Sequence, residues 1–441
     1  MDRPTVSPMP PVATSVRLPW DAPVGDAVAT LADARRSLGD TFIVDSGDDR
    51  YLFTFSPAGV AGLYGLPEDR ASKGVADWRM LRRKLPDELF AGRRTLPHQL
   101  FGRHEVTARL DHVRWAVDAT VDELGEAGEI DVFTMTRRLG HRVGLAAWGG
   151  PGSATGFRFE QLARAFDTLD GAESFVHPEE MAAVAASGKA AEYESLGRIT
   201  ESLSEALRDL PGSEGEHPLF ARLARAWEDQ PEESAAIGLS FDVALIHVAS
   251  MSNLFAALGW YLVDLIAHPA AGERIRSGDM RFAESCAMES IRMAQRSIVS
   301  RFVVEGVTLD VGGTRHEVSS GVTIATLLPL TNTSSGPGLD AWDPGHWSRR
   351  RLTADIDLSA VELVTGFGHG RHTCPAQSFS LSAMTLAAAR VLDVFELRAG
   401  WADPPGPVPT QIGGIARSSR PCPVRYRARA ARHVDGETLP G

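Results

Sequence analysis

At 441 residues, with 43% hydrophobic and 23% charged side chains, the chain has the length and composition of a globular protein of one or two domains. Its 45 basic and 57 acidic residues give a net charge of −12, which argues against nucleic acid as a partner, since phosphate binding needs a basic face. Three cysteines, Cys286, Cys374 and Cys422, are too few and too scattered for a disulfide framework and point to a reducing cytoplasm.

The Pro-rich start, MDRPTVSPMPPVATSVRLPW, shows no apolar core of a signal peptide; no membrane anchor is expected, and residues 1–15 are expected to be a disordered tail. Two strand-like runs follow, Thr41–Val44 and Tyr51–Phe55, joined through Gly-Asp-Asp as a hairpin. From about Pro57 to His268 the periodicity is helical, with helices predicted over Leu110–Leu124, Glu160–Leu169, Glu179–Leu207 and Glu232–His268. The last is ended by Pro269. Its stretch Val243–Val263 carries no Asp, Glu, Lys or Arg and is long enough to span a bilayer, yet His247, Ser250, Ser252 and Asn253 near its middle fit a buried helix of an α-rich domain better. A helix over Glu273–Arg296, broken near Gly278, precedes a region of period two with a turn at Gly312-Gly313. A Pro/Gly/Trp-rich loop, another helix over Ser378–Val394 and a C-terminal β ribbon complete the chain. The expected fold is mainly α with a small β portion, as a single domain over residues 16–430, with residues 431–441 as a tail.

Chemistry concentrates in Gly366–Gln377, which reads G-F-G-H-G-R-H-T-C-P-A-Q. A thiolate ligand needs hydrogen-bond donors or positive charge and limited water. Gly368 and Gly370 allow a tight turn that aims amide N–H groups at the sulfur of Cys374, and a helix starting just after Pro375 adds its N-terminal dipole. Arg371 and His372 are cations able to hold carboxylates. A lone cysteine is more often a small core residue than a ligand; the ordering of Phe367, Gly370 and Cys374 is what singles this one out.

That ordering resembles the heme-binding loop of the cytochrome P450 superfamily, with Ala376 in place of the commoner Gly. The resemblance implies the cytochrome P450 fold, with heme b between the long distal helix and the cysteine loop, and Cys374 as the metal ligand. It implies a structural network of Glu289 and Arg292, three residues apart on one helix face, completed from the loop Trp342–Trp347, where His346 stands in place of an Arg. Further cofactor-binding residues implied by it are Phe367, Gly370 and His372, with Arg301 and Arg109 as cations toward a propionate.

Oxygen-activating members carry an acid and an alcohol on the distal helix to relay protons. This chain has Ala249-Ser-Met-Ser-Asn253 there, with no carboxylate between Asp242 and Asp264. Ala249 and Ser250 are small, and Asn253 shares their helix face; an amide can donate or accept a hydrogen bond but cannot shuttle protons by ionising. These three are the candidate catalytic residues. The Ala-Ser-x-x-Asn pattern, with Trp260 seven residues on, resembles the sterol 7α/12α-hydroxylase and prostacyclin synthase subset, here as a soluble bacterial type with a place in secondary metabolism. His247 is expected to be structural, Cys286 to be packing, and His98, His104 and His112 have no metal-ligand companions.

Three functions compete. A monooxygenase would oxidise a hydrophobic small molecule with electrons from a ferredoxin and ferredoxin reductase, drawing protons from water, Ser250, Ser252 or the substrate. An isomerase, lyase or peroxygenase-type enzyme would act on a peroxide without external electrons, or carry out oxidative coupling or cyclisation. A non-catalytic heme protein is the third. The pocket is expected to be lined by Ala249–Ala256, the segment Trp78–Leu89 and Ile412–Ile415, and Arg103, Arg109 and Arg349–Arg351 are candidate docking residues for an acidic ferredoxin.

Overall fold

A computed structural model describes residues 9–92, 94–95, 97–171 and 178–430. The residues expected to form the C-terminal tail, 431–441, lie outside it, as do residues 1–8 of the expected N-terminal tail. Residues 9–15 differ from expectation. Ile43 donates to Pro11 O and Ala13 donates to Ile43 O, both at 2.8 Å, so this stretch adds an edge to a sheet and Ala13 is buried. Edge carbonyls and amides that would otherwise face water are thereby paired.

That sheet has five strands in the order Thr41–Ser46, Asp49–Thr54, Val322–Leu327, Ile298–Val303 and Ala71–Ser72. All pairs are antiparallel except Asp49–Thr54 with Val322–Leu327. The first two strands form the expected hairpin, turning at Gly47 (φ 57°). The turn at Gly312-Gly313 joins a separate small hairpin, Val307–Asp310 with Arg315–Val318. The C-terminal ribbon is a three-stranded sheet of Phe395–Ala399, Pro423–Ala428 and Ala127–Asp131.

Helices make up the rest and surround Glu232–Ala267, which runs through the core. The helix Val132–Trp148 lies closest against it because Gly140 and Gly144 share a face: a Cβ on Gly140 would sit 2.8 Å from Phe255 Cβ, and one on Gly144 2.8 Å from Met251 Cγ. The apolar stretch that could have spanned a membrane is thus consumed in packing. The helix expected over Glu179–Leu207 is two, Pro178–Ala186 and Ala190–Arg208, because Gly188 and Lys189 both adopt positive φ (61° and 60°). The expected break at Gly278 (φ 100°) is present, separating Pro269–Arg276 from Met280–Met293, whose N-cap Asp279 accepts from Phe282 N–H.

Candidate active site

The helix Met280–Met293 carries Glu289 and Arg292 with both side chains fully buried. Arg292 donates to Glu289 through Nε (2.8 Å) and Nη2 (2.6 Å). Its remaining N–H groups reach the carbonyls of Asn332 (2.6 Å), Leu339 (2.6 Å) and Ala341 (3.1 Å), so all five donors are used. Glu289 also accepts from Trp347 Nε1 (2.8 Å) and Asp343 N (3.0 Å), and His346 Nδ1 lies 2.9 Å from it, in the position of third member. Burial pushes the Glu289 carboxyl upward, but the Arg292 guanidinium and these donors outweigh it and hold the group below the usual carboxylate range.

Asn332 carries this network to the cysteine loop. Its amide donates to Arg292 O (3.1 Å) and Thr365 O (2.9 Å) and accepts from Thr365 N (2.8 Å). Thr365 Oγ1 in turn accepts from Phe367 N (3.1 Å) and Gly368 N (2.7 Å), and Gln295 Nε2 donates to Gly366 O (2.7 Å). Nothing local in the sequence marked Asn332, Thr365 or Gln295 as members of the site.

Within the loop, Cys374 N donates to Phe367 O (2.7 Å) and a short turn spans Gly370–His372. Gly368 (φ 75°) is required there, since a Cβ would meet His372 O at 2.9 Å. Burial raises the Cys374 thiol, while the amides of Ala376 and Gln377 and the charge of Lys73 favour the thiolate. Around it, Arg301 is buried, donating to Glu68 Oε2 (2.8 Å) and Tyr64 O (3.2 Å). His372 Nε2 lies 3.4 Å from the same carboxylate without a hydrogen bond and is a buried polar atom with no partner. Burial, with the charges of Arg301, Lys73 and Arg371, disfavours its protonation, against the single opposing charge of Glu68. The sequence reading missed Lys73, some 300 positions upstream of the cysteine.

Arg109 stands elsewhere. It is buried in the helix Arg103–Leu124, donates to Leu100 O, and lies over the rings of Phe101 (5.1 Å) and Phe379 (5.4 Å). Through Phe379 it packs against the helix that follows Cys374, and its burial removes it as a docking residue. The Arg103 side chain lies outside what is described; Arg350 is paired with Glu284 (2.6 Å).

Between Gly238 and Leu265 the long helix is exposed at two residues alone, Ala249 and Asn253, one turn apart, with Val248, Ser250 and Ser252 half-buried beside them. Asn253 Oδ1 accepts from Ile415 N (3.0 Å). Ser252 is held away by Arg417, whose guanidinium donates to Ser252 O (2.9 Å) and Oγ (2.7 Å). Asp242 is fixed by Thr95 Oγ1 and Trp227 Nε1, both at 3.1 Å. His247 is structural as expected: it stacks on Phe166 at 3.9 Å and lies 2.9 Å from His141 Nδ1. Of the expected lining residues, Leu85, Leu89, Ile412 and Ile415 are closed into the core, and Trp78 faces outward under Arg82.

No protein-family model matches the chain. In structure it superposes on the retinoic acid-bound cyanobacterial CYP120A1 with a TM-score of 0.74, at 16% identity, covering 96% of this chain and 100% of that one. A cytochrome P450DA heme domain gives 0.72 at 18% identity, covering 96% and 98%. The chain has the cytochrome P450 fold. In sequence it is similar to cytochrome P450 monooxygenase 2 of Gibberella fujikuroi (26% identity over 242 residues, 48% of this chain and 49% of that protein). It is also similar to the tryptamine 5-hydroxylase of Oryza sativa subsp. japonica (27% over 224 residues, 44% and 40%). The chain spans about half the length of the curated relatives it matches.

Fold and relatives together imply heme b as the cofactor, and the residues fit it. Cys374 supplies a sulfur faced by two amides. Arg301 and the His372 ring, whose Nε2 has no hydrogen-bond partner, lie against Glu68, with Arg371 and the Asp77-paired Lys73 nearby, a cationic setting suited to propionates.

Proposed function

We propose that the chain is a heme-thiolate monooxygenase that oxidises a hydrophobic small molecule. The observation that carries this reading is the Cys374 loop, with the amides of Ala376 and Gln377 favouring the thiolate and Arg301 and His372 beside Glu68, in a fold whose central helix is open at Ala249 and Asn253. Bound heme supplies the two-electron activation of dioxygen, one oxygen atom going to substrate and the other to water. The protein holds the thiolate and braces its loop through Glu289, Arg292, Asn332 and Thr365.

Proton supply falls to few groups. Asp242 is engaged by Thr95 and Trp227, and Ser252 by Arg417. The Ser250 hydroxyl is half-buried and has no hydrogen-bond partner among the described residues, which leaves it, ordered water and the substrate as donors. The same lack of an ionisable group supports a second reading, a peroxide isomerase or peroxygenase-type enzyme, whose substrate already contains the O–O bond and needs no relay. We place the substrate among polycyclic lipids of the sterol type, on the distal pattern from Ala249 to Asn253. Electrons would come from a ferredoxin and its reductase, and the three unbonded cysteines suit a reducing cytoplasm.

The test is turnover of purified holoprotein on a panel of sterols with NADPH, ferredoxin, ferredoxin reductase and oxygen, set against the same panel with hydrogen peroxide alone. Oxygenated product that requires the reductase supports the monooxygenase; product from peroxide alone supports the second reading.

A further inference from the structure

Asn253 has one polar end committed and one open. Its Oδ1 accepts from Ile415 N–H at 3.0 Å, whereas its Nδ2 has no partner among the described residues and the side chain is exposed. Turning the amide over would set Nδ2 against the Ile415 N–H, donor against donor, so the chemistry of the contact fixes the orientation.

The loop that does this is held from several sides. Gln411 Nε2 donates to Gly413 O (2.8 Å) and Ile415 O (3.0 Å), while its Oε1 accepts from Arg417 N (2.6 Å). Arg296 N donates to Gly414 O (2.9 Å), and Trp260 Nε1 to Ala416 O (2.7 Å). Gly414 (φ 60°) makes the close approach possible, because a Cβ there would sit 2.7 Å from Asn253 Oδ1. From the helix side, Arg417 pins the neighbouring Ser252.

We infer that Asn253 is a donor-only specificity group, positioned by Ile415 and Gly414, that presents its Nδ2 hydrogens to the ligand in the space left by the Ala249–Asn253 face. The class of ligand selected bears an acceptor oxygen beside the reacting centre: a ketone, ether, ester carbonyl or peroxide. A hydroxyl is bound there through its lone pair, and an ammonium group is rejected. This rests on the heme-thiolate reading above and narrows its substrate class.

Carbon monoxide is the probe, read by the infrared C–O stretch of the reduced, CO-bound holoprotein. A donor facing its oxygen lowers that frequency. Asn253→Leu, which removes the amide, and Asn253→Asp, which keeps the Ile415 contact but turns the open end into an acceptor, should both raise it with heme content unchanged. Gly414→Ala should move it in the same direction by displacing Asn253. Identical frequencies in wild type, Asn253→Leu and Asn253→Asp would overturn the inference while the thiolate spectrum stood. Loss of the red-shifted Soret band from the wild-type protein itself would instead overturn the heme-thiolate reading.

Discussion

Arg292→Lys keeps the charge at the centre of the buried network and removes its geometry. The guanidinium satisfies five acceptor contacts, two on Glu289 and one each on the carbonyls of Asn332, Leu339 and Ala341. An ammonium has three donors, so at least two of those acceptors are left dry. At about 1–3 kcal/mol for each unsatisfied buried group, the loss is about 2–6 kcal/mol out of the ~5–15 kcal/mol that typically stabilises a domain. Arg292→Ala additionally strands the Glu289 charge, at ~3–5 kcal/mol, and is expected to yield little soluble protein. Because Asn332 also holds Thr365 and through it the cysteine loop, heme occupancy should fall together with stability. Urea unfolding followed by circular dichroism, with heme quantified per chain, measures both. An Arg292→Lys protein with the wild-type urea midpoint and full heme would refute the reasoning, since it would mean that water reaches these carbonyls.

Other outcomes follow from separate contacts. Lys84 and Glu192 form a buried ion pair joining the segment after Lys73–Leu81 to the helix Ala190–Arg208; Lys84→Met should cost ~3–5 kcal/mol and Lys84→Met/Glu192→Leu should recover most of it in a double-mutant cycle. Additive losses would show the pair to be independent. Burial, with the Glu289 charge adding and the Ser290 hydroxyl opposing, pushes the Asp264 carboxyl up to about 7. The unfolded chain releases that proton near 3.9 and the folded chain near 7, so the folded state binds more protons in between and Asp264 lowers stability progressively as pH rises from about 4 to 7. Asp264→Asn should therefore raise the urea midpoint at pH 8 relative to wild type and lose that advantage by pH 4.5; a pH-independent difference would contradict it. Ser252→Ala should leave turnover within about twofold, since Arg417 already occupies that hydroxyl, whereas Ser250→Ala should slow the coupled reaction; equal loss from both would contradict the assignment of Ser250 as the uncommitted hydroxyl.

Contiguous chemistry was legible in the sequence. The cysteine loop, the Glu289/Arg292 pair and the apolar long helix each carry their signal within one contiguous stretch of the chain. His346 was legible through its aromatic neighbours Trp342 and Trp347, and the structure has it against Glu289. What was illegible depends on chain segments far apart. Arg109 has the composition of a propionate ligand, and its place over the ring of Phe379, 270 positions away, could not be read from its own neighbourhood. Ser252 reads as a free hydroxyl until Arg417 arrives from the C-terminal loop, and Lys73 joins the cysteine site from the opposite end of the chain. The tail over residues 9–15 looked disordered because proline-rich sequence has no periodicity of its own; its order comes from the sheet edge at Ile43.

The central claim is that Cys374, and no other cysteine, binds the heme iron. Burial raises all three thiols, Cys286 and Cys422 to about 12, but at Cys374 the amides of Ala376 and Gln377 and the charge of Lys73 oppose it, in a loop turned by Gly368 and Gly370. The direct measurement is the absorption spectrum of the reduced, carbon monoxide-bound protein for wild type, Cys374→Ser and Cys286→Ser. The red-shifted Soret band should be present in wild type and Cys286→Ser and absent from Cys374→Ser. A Cys374→Ser protein that kept the band, or a wild type that never showed it with heme bound, would contradict the claim.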